Sequence, residues 1–198
     1  MEQLKNEKLT VEISSHGAEL QSIRNAEGRE YLWQGDEKYW PRRSPLLFPI
    51  VCGLWKDEYR VDGRTFNLPR HGFARDMDFE VVEKSDTSVT YTLESNAQTR
   101  EVYPYDFELD VTYILNDDNI NVIWSVKNTG KEEMHFQIGG HPAFNLPGVA
   151  EGDKIHGSIL FDNVEPLTRI IGNTGGCIKP ERYELKTDRQ VWNFDEES

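Results

Sequence analysis

Apolar and polar residues alternate along residues 107–115, and this pattern constrains the fold more than any other feature of the sequence. The apolar positions are Phe107, Leu109, Val111, Tyr113 and Leu115. Of the residues between them, only Ile114 is apolar. Successive side chains of a β-strand point to opposite faces, so a period of two predicts a strand with one buried and one solvated face.

The neighbouring segments predict further strands in an antiparallel arrangement. Apolar residues alternate again from Ile120 to Val126, and the four polar residues 116–119 predict a hairpin turn between the two runs. Met134, Phe136 and Ile138 predict a third strand, so residues 107–139 are expected to form a meander.

Short alternating runs recur at residues 9–13, 79–81 and 89–93, and no segment has a sustained helical period. The sequence therefore predicts an all-β, antiparallel β-sandwich. We expect one domain over residues 1–198, which is a permissible length for a single β-sandwich. Its last part, residues 173–198, is rich in Gly and charge and is expected to be an irregular tail.

The net charge of −13 limits the classes of partner. Nucleic acids and anionic membrane surfaces are bound by basic patches, so neither is expected here. The first residues lack the apolar core of a signal peptide, and no stretch is apolar enough to span a membrane. Cys52 and Cys177 are widely separated and lack metal-ligand spacing, which indicates free thiols in a reducing cytoplasm. A single long-range disulfide between them is the alternative.

Two segments carry a histidine among glycines, where a substrate can approach the backbone closely. His71 lies in the run Arg-His-Gly-Phe-Ala-Arg at residues 70–75, and His141 lies in Gly-Gly-His-Pro-Ala-Phe-Asn at residues 139–145. An imidazole exchanges protons near neutral pH, which suits acid–base catalysis. For each histidine taken alone, the alternative to a catalytic role is a turn residue whose hydrogen bonds are satisfied locally.

A third segment, residues 39–49, combines aromatic residues with arginines. Trp40 next to Arg42 and Arg43 suits a sugar, because sugar C–H faces stack on aromatic rings and guanidinium groups bond to hydroxyls. The alternative is that Trp40 and Phe48 belong to the core. The sequence contains no nucleotide-binding or metal-binding motif.

Together and in this order, the three segments resemble the aldose 1-epimerase (mutarotase) superfamily, and most closely its LacX-type branch. Further matching runs are His-Gly-Ala-Glu-Leu at residues 16–20, Tyr-Leu-Trp-Gln-Gly-Asp at residues 31–36 and Tyr-Pro-Tyr-Asp-Phe at residues 103–107. The resemblance extends from about residue 9 to residue 148. It implies an antiparallel β-sandwich that interconverts the α and β anomers of a hexose or related sugar, without a metal or an organic cofactor.

The resemblance also implies residue roles. His141 is expected to protonate the ring oxygen, and His71 to hydrogen-bond near it. Substrate-binding roles are implied for Arg42, Arg43, Arg75 and Asn145. Because related enzymes use arginines to bind phosphate, a phosphosugar is a second candidate substrate alongside a neutral sugar.

One feature of the family is not found in the sequence. The family's general base is a Glu on a strand far downstream of the second histidine segment, and no residue up to Ser198 matches it. Either the chain is shortened at its C-terminus, or a partner or an unusual Glu supplies the carboxylate. A sugar-binding protein without turnover is the alternative to an isomerase. A relic in which the motifs serve only folding is a third reading. Missing strands would leave a sheet edge unpaired, so we also expect a homodimer through that edge.

Overall fold

The computed structural model describes residues 1–146, 148, 157–162, 167–172, 178–185, 187 and 191–194. The chain divides into two compact units, Met1–Asn145 and Leu146–Ser198. Cys177, with the other residues between these ranges, lies outside the described part. Within the described part, no helix is long and apolar enough to cross a membrane.

The first unit is built almost entirely of strands. These strands are β1 (Glu2–Lys5), β2 (Leu9–Ile13), β3 (Leu20–Asn25), β4 (Leu46–Leu47), β5 (Glu58–Val61), β6 (Arg64–Asn67), β7 (Glu80–Lys84), β8 (Ser88–Glu94), β9 (Phe107–Asn116), β10 (Asn119–Asn128) and β11 (Gly139–Gly140). The helical elements of this unit are the short helix α1 (Ala97–Val102) and two 3₁₀ turns, Trp55–Asp57 and Ala74–Asp76.

Two antiparallel sheets enclose a shared core in this unit. One sheet has the strand order β1-β2-β3 and the other β10-β9-β8-β7, and residues of both sheets belong to one buried apolar cluster. Buried tyrosines also join the core to distant backbone, because the Tyr91 hydroxyl donates to the Ile13 carbonyl (3.3 Å) and the Tyr113 hydroxyl to the Ala18 carbonyl (2.7 Å). The predicted all-β, antiparallel fold is confirmed.

The predicted hairpin forms between β9 and β10. Its strands pair from Asn116 opposite Asn119 to Phe107 opposite Asn128, and the apolar residues of β9 are buried alternately as expected. β10 differs, because within the described residues it pairs only with β9 and forms the edge of its sheet. On this strand, Val122, Ile123 and Trp124 are 39%, 50% and 38% exposed.

The prediction of a third strand in the meander is wrong. Residues 129–138 have no strand, and β11 begins only at Gly139. The reason is that this segment bonds to loops instead of to a neighbouring strand. The Gln137 amide donates to the Pro49 carbonyl (2.9 Å), the Gln137 side chain accepts from the Val51 amide (3.0 Å), and the His135 carbonyl accepts from the Tyr103 hydroxyl (2.9 Å).

In the second unit, the described residues form two antiparallel strand pairs. The strands are β12 (Gly157–Leu160), β13 (Thr168–Gly172), β14 (Ile178–Glu184) and β15 (Val191–Phe194). β12 pairs with β15, and β13 pairs with β14. β14 and β15 correct the expectation of an irregular tail at residues 173–198. Strand pairing supplies backbone hydrogen bonds even where, as in β14, every side chain is exposed.

Candidate functional site

The site is organised by one extended segment, residues 43–49, which contains β4. On one side, β11 pairs with β4, and the pairing continues past the strand ends. The His141 amide donates to the Pro45 carbonyl (3.1 Å), and the Ala143 amide donates to the Arg43 carbonyl (2.9 Å). His141 is therefore held by backbone bonds directly after a strand, in the manner of many functional residues at strand ends.

On its other side, the same segment holds the loop that carries His71. The Phe48 carbonyl accepts hydrogen bonds from the Phe73 amide (3.1 Å) and the Ala74 amide (3.2 Å). Gly72 lies against Phe48 with φ +70°, and a Cβ there would be 2.2 Å from the Phe48 carbonyl oxygen. Only glycine fits this contact, which explains why glycine follows His71.

The two histidines meet as a result of these two attachments. The ring centroids of His71 and His141 are 6.0 Å apart, and the planes are inclined by 68°. On its other side, the His141 ring lies 5.1 Å from the Trp40 ring. His71 is partly buried, whereas His141 is exposed. Two imidazoles and an indole therefore face one small region of the first unit.

His71 is fixed by a reciprocal pair of hydrogen bonds with Cys52. The His71 amide donates to the Cys52 carbonyl (2.9 Å), and the Cys52 amide donates to Nδ1 of the His71 ring (3.0 Å). Both residues have positive φ, +70° for His71 and +67° for Cys52. Such backbone conformations are uncommon outside glycine, and they indicate a tightly determined loop.

Arginines surround the histidine pair and give it a positive potential. Asp76 holds two of them, since its carboxylate lies 2.7 Å from Nη2 of Arg42 and 3.5 Å from Nε of Arg75. Nη2 of Arg75 also donates to the Arg70 carbonyl (2.7 Å), and the Arg75 side chain is only 17% exposed. Burial and the neighbouring Arg42 lower the pKa of the Arg75 guanidinium.

This environment acts on His71. Burial lowers the pKa of the His71 imidazole, and the positive charges of Arg75, His141, Arg70 and Arg42 lower it further. Both effects disfavour the charged form, the first by desolvation and the second by repulsion. His71 is therefore held neutral at pH values where an ordinary histidine begins to take up a proton.

Arg43 and Asn145, which the sequence analysis assigned to substrate binding, are hydrogen-bonded to other parts of the chain. The Arg43 guanidinium donates to the side chain of Gln21 and to the Gln34 carbonyl (3.1 Å), so it braces the loops around it. The Asn145 side chain donates to the Leu32 carbonyl (2.9 Å). His71, His141, Arg42 and Arg75 are thus brought together, whereas Arg43 and Asn145 are engaged in holding the chain around the site.

Glu19 and Cys52 are structural partners of the site to which the sequence analysis gave no role. The largely buried Glu19 carboxylate accepts from the amides of Arg43 (2.9 Å) and Ser44 (2.8 Å), and so positions the start of the segment 43–49. A charged residue between Ala18 and Leu20 is the signal that points to such a role, since buried carboxylates are normally hydrogen-bonded. The Cys52 contact is made by its backbone and has no such signal.

The donor set is typical of a site for a polar organic molecule. Among the described residues, no group of three or more His, Cys, Asp or Glu side chains has the arrangement of a metal site. An indole face, two imidazoles and several guanidinium groups are the groups that bind sugars by stacking and by multiple hydrogen bonds. The fold and the site together define an all-β protein with a candidate site for a polar organic ligand.

Sequence comparison identifies the family. Residues 2–161 match the profile of the family described as Aldose 1-epimerase, and this chain belongs to that family. It is 42% identical over 171 residues to the chromosomal LacX protein of Lactococcus lactis subsp. lactis, a match that covers 82% of this chain and 56% of that protein.

Solved structures give the same result. The chain is similar to a galactose mutarotase-like protein from Lactobacillus casei, with a TM-score of 0.92 and 34% identity over 98% of this chain and 67% of that one. It is also similar to a galactose mutarotase related enzyme from Lactobacillus acidophilus, with a TM-score of 0.87, 38% identity, and coverage of 98% of this chain and 65% of that one. The chain thus spans a little over half the length of the curated relative and about two thirds of these structures.

Proposed function

We propose that this protein interconverts the α and β anomers of an aldose. The observation that carries the proposal is the pairing of His71 and His141 at 6.0 Å, beside Trp40 and two arginines. Membership of the aldose 1-epimerase family supports a sugar as the substrate. The indole of Trp40 offers a stacking surface for the sugar ring, and Arg42 and Arg75 offer donors to its oxygens.

In the proposed reaction, a base to which no described side chain is assigned takes the proton of the anomeric hydroxyl while the bond between C1 and the ring oxygen breaks. His141, as the imidazolium, gives its proton to the ring oxygen, so the products are an open-chain aldehyde and a neutral imidazole. Rotation about the C1–C2 bond and reversal of these steps give the other anomer. His71 donates a hydrogen bond beside the ring oxygen, and this bond orients the sugar towards His141.

The charge around the histidines favours a phosphorylated sugar as substrate over a neutral one. Arg42, Arg70 and Arg75 all act on His71, and Asp76 balances only part of their charge. Guanidinium groups bind phosphate oxygens with strong, charge-assisted hydrogen bonds. This local positive potential stands against the overall charge of −13 and is therefore a property of the site.

A second candidate function is sugar binding without turnover. The charged groups that act on His71 among the described residues are all cationic, and Asp76 is occupied by Arg42 and Arg75. A carboxylate free to deprotonate the anomeric hydroxyl is therefore not found beside His71 in the described part of the chain. General-base catalysis contributes about 10²–10⁴-fold to a rate, so its loss would leave binding but little catalysis.

The two candidates are separated by measuring turnover and binding in the same samples. Anomer exchange is followed by saturation-transfer NMR, and binding of hexoses and hexose 6-phosphates by titration calorimetry. We expect exchange above the spontaneous rate in the native protein and a loss of about 10²–10⁴-fold in His141→Ala, with native rates in the control His135→Ala. The His135 ring has no hydrogen bond or ring contact with the site.

Each outcome of these measurements supports or refutes one of the two candidate functions. Binding with no exchange in the native protein would establish the second candidate. Equal exchange in the native protein and in His141→Ala would refute the proposed catalytic role. No binding of any of these sugars would refute both candidates.

A further inference from the structure

We propose that the backbone amide of Cys52 locks the His71 imidazole in the neutral tautomer that carries its hydrogen on Nε2, which makes His71 a fixed hydrogen-bond donor. This inference deepens the proposed function and rests on it for its catalytic meaning. Cys52 is thereby assigned a positioning role, exerted through its main chain. The thiol of Cys52 takes no part in it.

The argument begins with the direction of one hydrogen bond. The Cys52 amide lies 3.0 Å from Nδ1 of His71, and a backbone N–H can only donate. Nδ1 must therefore be the acceptor and carry no hydrogen. A neutral imidazole has one donor and one acceptor nitrogen, so the hydrogen lies on Nε2.

The geometry of the loop makes this bond difficult to exchange for another. The His71 amide donates to the Cys52 carbonyl (2.9 Å), so the two residues are joined by two bonds in opposite directions. The adjacent Gly72 is packed against Phe48 with no room for a Cβ. The main chains of His71 and Cys52 are therefore held in fixed positions, which keeps the Cys52 N–H within reach of Nδ1.

Protonation of His71 would place a second hydrogen on Nδ1, directly facing the Cys52 N–H. Two donors would then oppose each other in a partly buried position, and the bond would be lost. The surrounding Arg42, Arg70, Arg75 and His141 oppose this proton as well, consistent with the lowered pKa of His71. Asp76, the nearest acidic partner of these arginines, is held by Arg42 and Arg75.

The fixed tautomer of His71 gives the two histidines different roles. Nε2 is the only ring nitrogen of His71 available to a ligand, and it offers a hydrogen and no lone pair. His71 can therefore bind a sugar oxygen but cannot accept a proton from a hydroxyl. Among the described residues, the His141 ring has no hydrogen bond from a backbone amide, and in the proposed reaction it is the group that gives its proton to the ring oxygen.

The tautomer is measured directly by ¹H–¹⁵N NMR of the imidazole nitrogens in the uniformly ¹⁵N-labelled protein. The signals of His71 are those missing from His71→Asn. Asn is the matched variant because its side-chain oxygen occupies the position of Nδ1 and accepts the same bond, and Asn tolerates positive φ. Cys52→Gly keeps both the amide and the positive φ, so the tautomer in this variant is expected to be unchanged.

We expect Nδ1 to resonate as an unprotonated nitrogen and Nε2 as a protonated one at about pH 8, and His71 to remain mostly neutral at about pH 6.5, the usual pKa of histidine. A hydrogen on Nδ1, or a cationic His71 at about pH 6.5, would overturn the proposal. Because this measurement needs no substrate, it separates the two claims. The expected tautomer in a protein without anomer exchange leaves the lock standing and removes the proposed reaction, whereas exchange with a hydrogen on Nδ1 does the reverse.

The role of the donor is tested by binding of a hexose or a hexose 6-phosphate, whichever the native protein binds. His71→Gln can place an amide donor near the position of Nε2, whereas His71→Asn retains only the contact with Cys52. We expect His71→Asn to bind about fivefold more weakly than His71→Gln, which is about one hydrogen bond. Equal affinities in two folded variants would show that the ligand does not use the Nε2 hydrogen.

Discussion

The imidazole rings of His71 and His141 lie 6.0 Å apart because both of their loops are attached to the same extended segment, residues 43–49. Pro45 accepts a bond from the amide of His141, and Phe48 holds the loop of His71 from the opposite side. The distance between the rings therefore depends on backbone hydrogen bonds more than on contacts between the rings themselves. Perturbing this segment should affect both histidines at once.

Replacing Gly72 tests this attachment. Gly72→Ala would place a Cβ 2.2 Å from the Phe48 carbonyl at a positive φ, so we expect a loss of about 3 kcal/mol or more in the free energy of unfolding. The matched control is Gly28→Ala, which has a φ of +83° but no atom within 4 Å of the added Cβ, and should lose only about 1 kcal/mol. Denaturant unfolding measures both, and equal losses would contradict the close approach of Gly72 to Phe48.

Arg42 and Arg43 are adjacent but should behave differently. Arg42 acts on His71 and contacts Asp76, so Arg42→Ala is expected to weaken binding of a hexose 6-phosphate by about 10-fold or more, the equivalent of one charge-assisted hydrogen bond. Arg43 bonds to Gln21 and Gln34, so Arg43→Ala is expected chiefly to lower stability, by about 1–3 kcal/mol. Calorimetric titration and denaturant unfolding of both variants give the comparison. Weaker binding in Arg43→Ala at unchanged stability would reverse the assignment.

The lowered pKa of His71 predicts the direction of a pH effect on stability. The unfolded chain binds a proton at His71 more readily than the folded protein, so protons favour unfolding as the pH falls below about 6.5. The stabilising contribution of the neutral ring is complete above that pH and declines below it, down to the folded pKa. His71→Asn removes the titrating group and keeps the acceptor for Cys52.

On acidification from about pH 7.5 to about pH 5.5, the native protein should therefore lose more stability than His71→Asn. Thermal unfolding at both pH values measures the difference. A smaller loss in the native protein than in the variant would mean that the folded state favours the imidazolium, contrary to the cationic surroundings of His71.

The exposed edge strand β10 bears on the expected homodimer, which stays a prediction. β10 presents Ile123 at 50% exposure, and a second copy pairing along this edge would satisfy the backbone groups that have no strand partner among the described residues. We expect light scattering to detect concentration-dependent association that Ile123→Lys reduces. Val82→Lys, on the opposite edge strand β7 where Glu80, Glu83 and Lys84 already supply charge, should leave it unchanged. A native protein that stays monomeric at all concentrations would disprove the expectation.

The strands with the clearest alternation were predictable, and the reason is local. Burial of Val11, Val89 or Leu109 on one face follows from the period of two, whatever the rest of the chain does. The apolar residues from Met134 to Ile138 have the same period but form no strand, because side-chain spacing does not reveal whether a neighbouring strand is available. Their backbone bonds go to residues 49–51 and to Tyr103 instead.

The sequence by itself determined the β-rich fold class and the residue types of the site, because alternation and the glycine-flanked histidines are encoded in short stretches. Only the tertiary structure decided which residues meet. It placed Arg42 rather than Arg43 beside the histidines, engaged Asn145 with Leu32, and set Nδ1 of His71 against the Cys52 amide. These arrangements depend on contacts between segments far apart in the chain. Every residue except proline has a backbone N–H, so the sequence does not show that the amide of Cys52 is the one that bonds to His71.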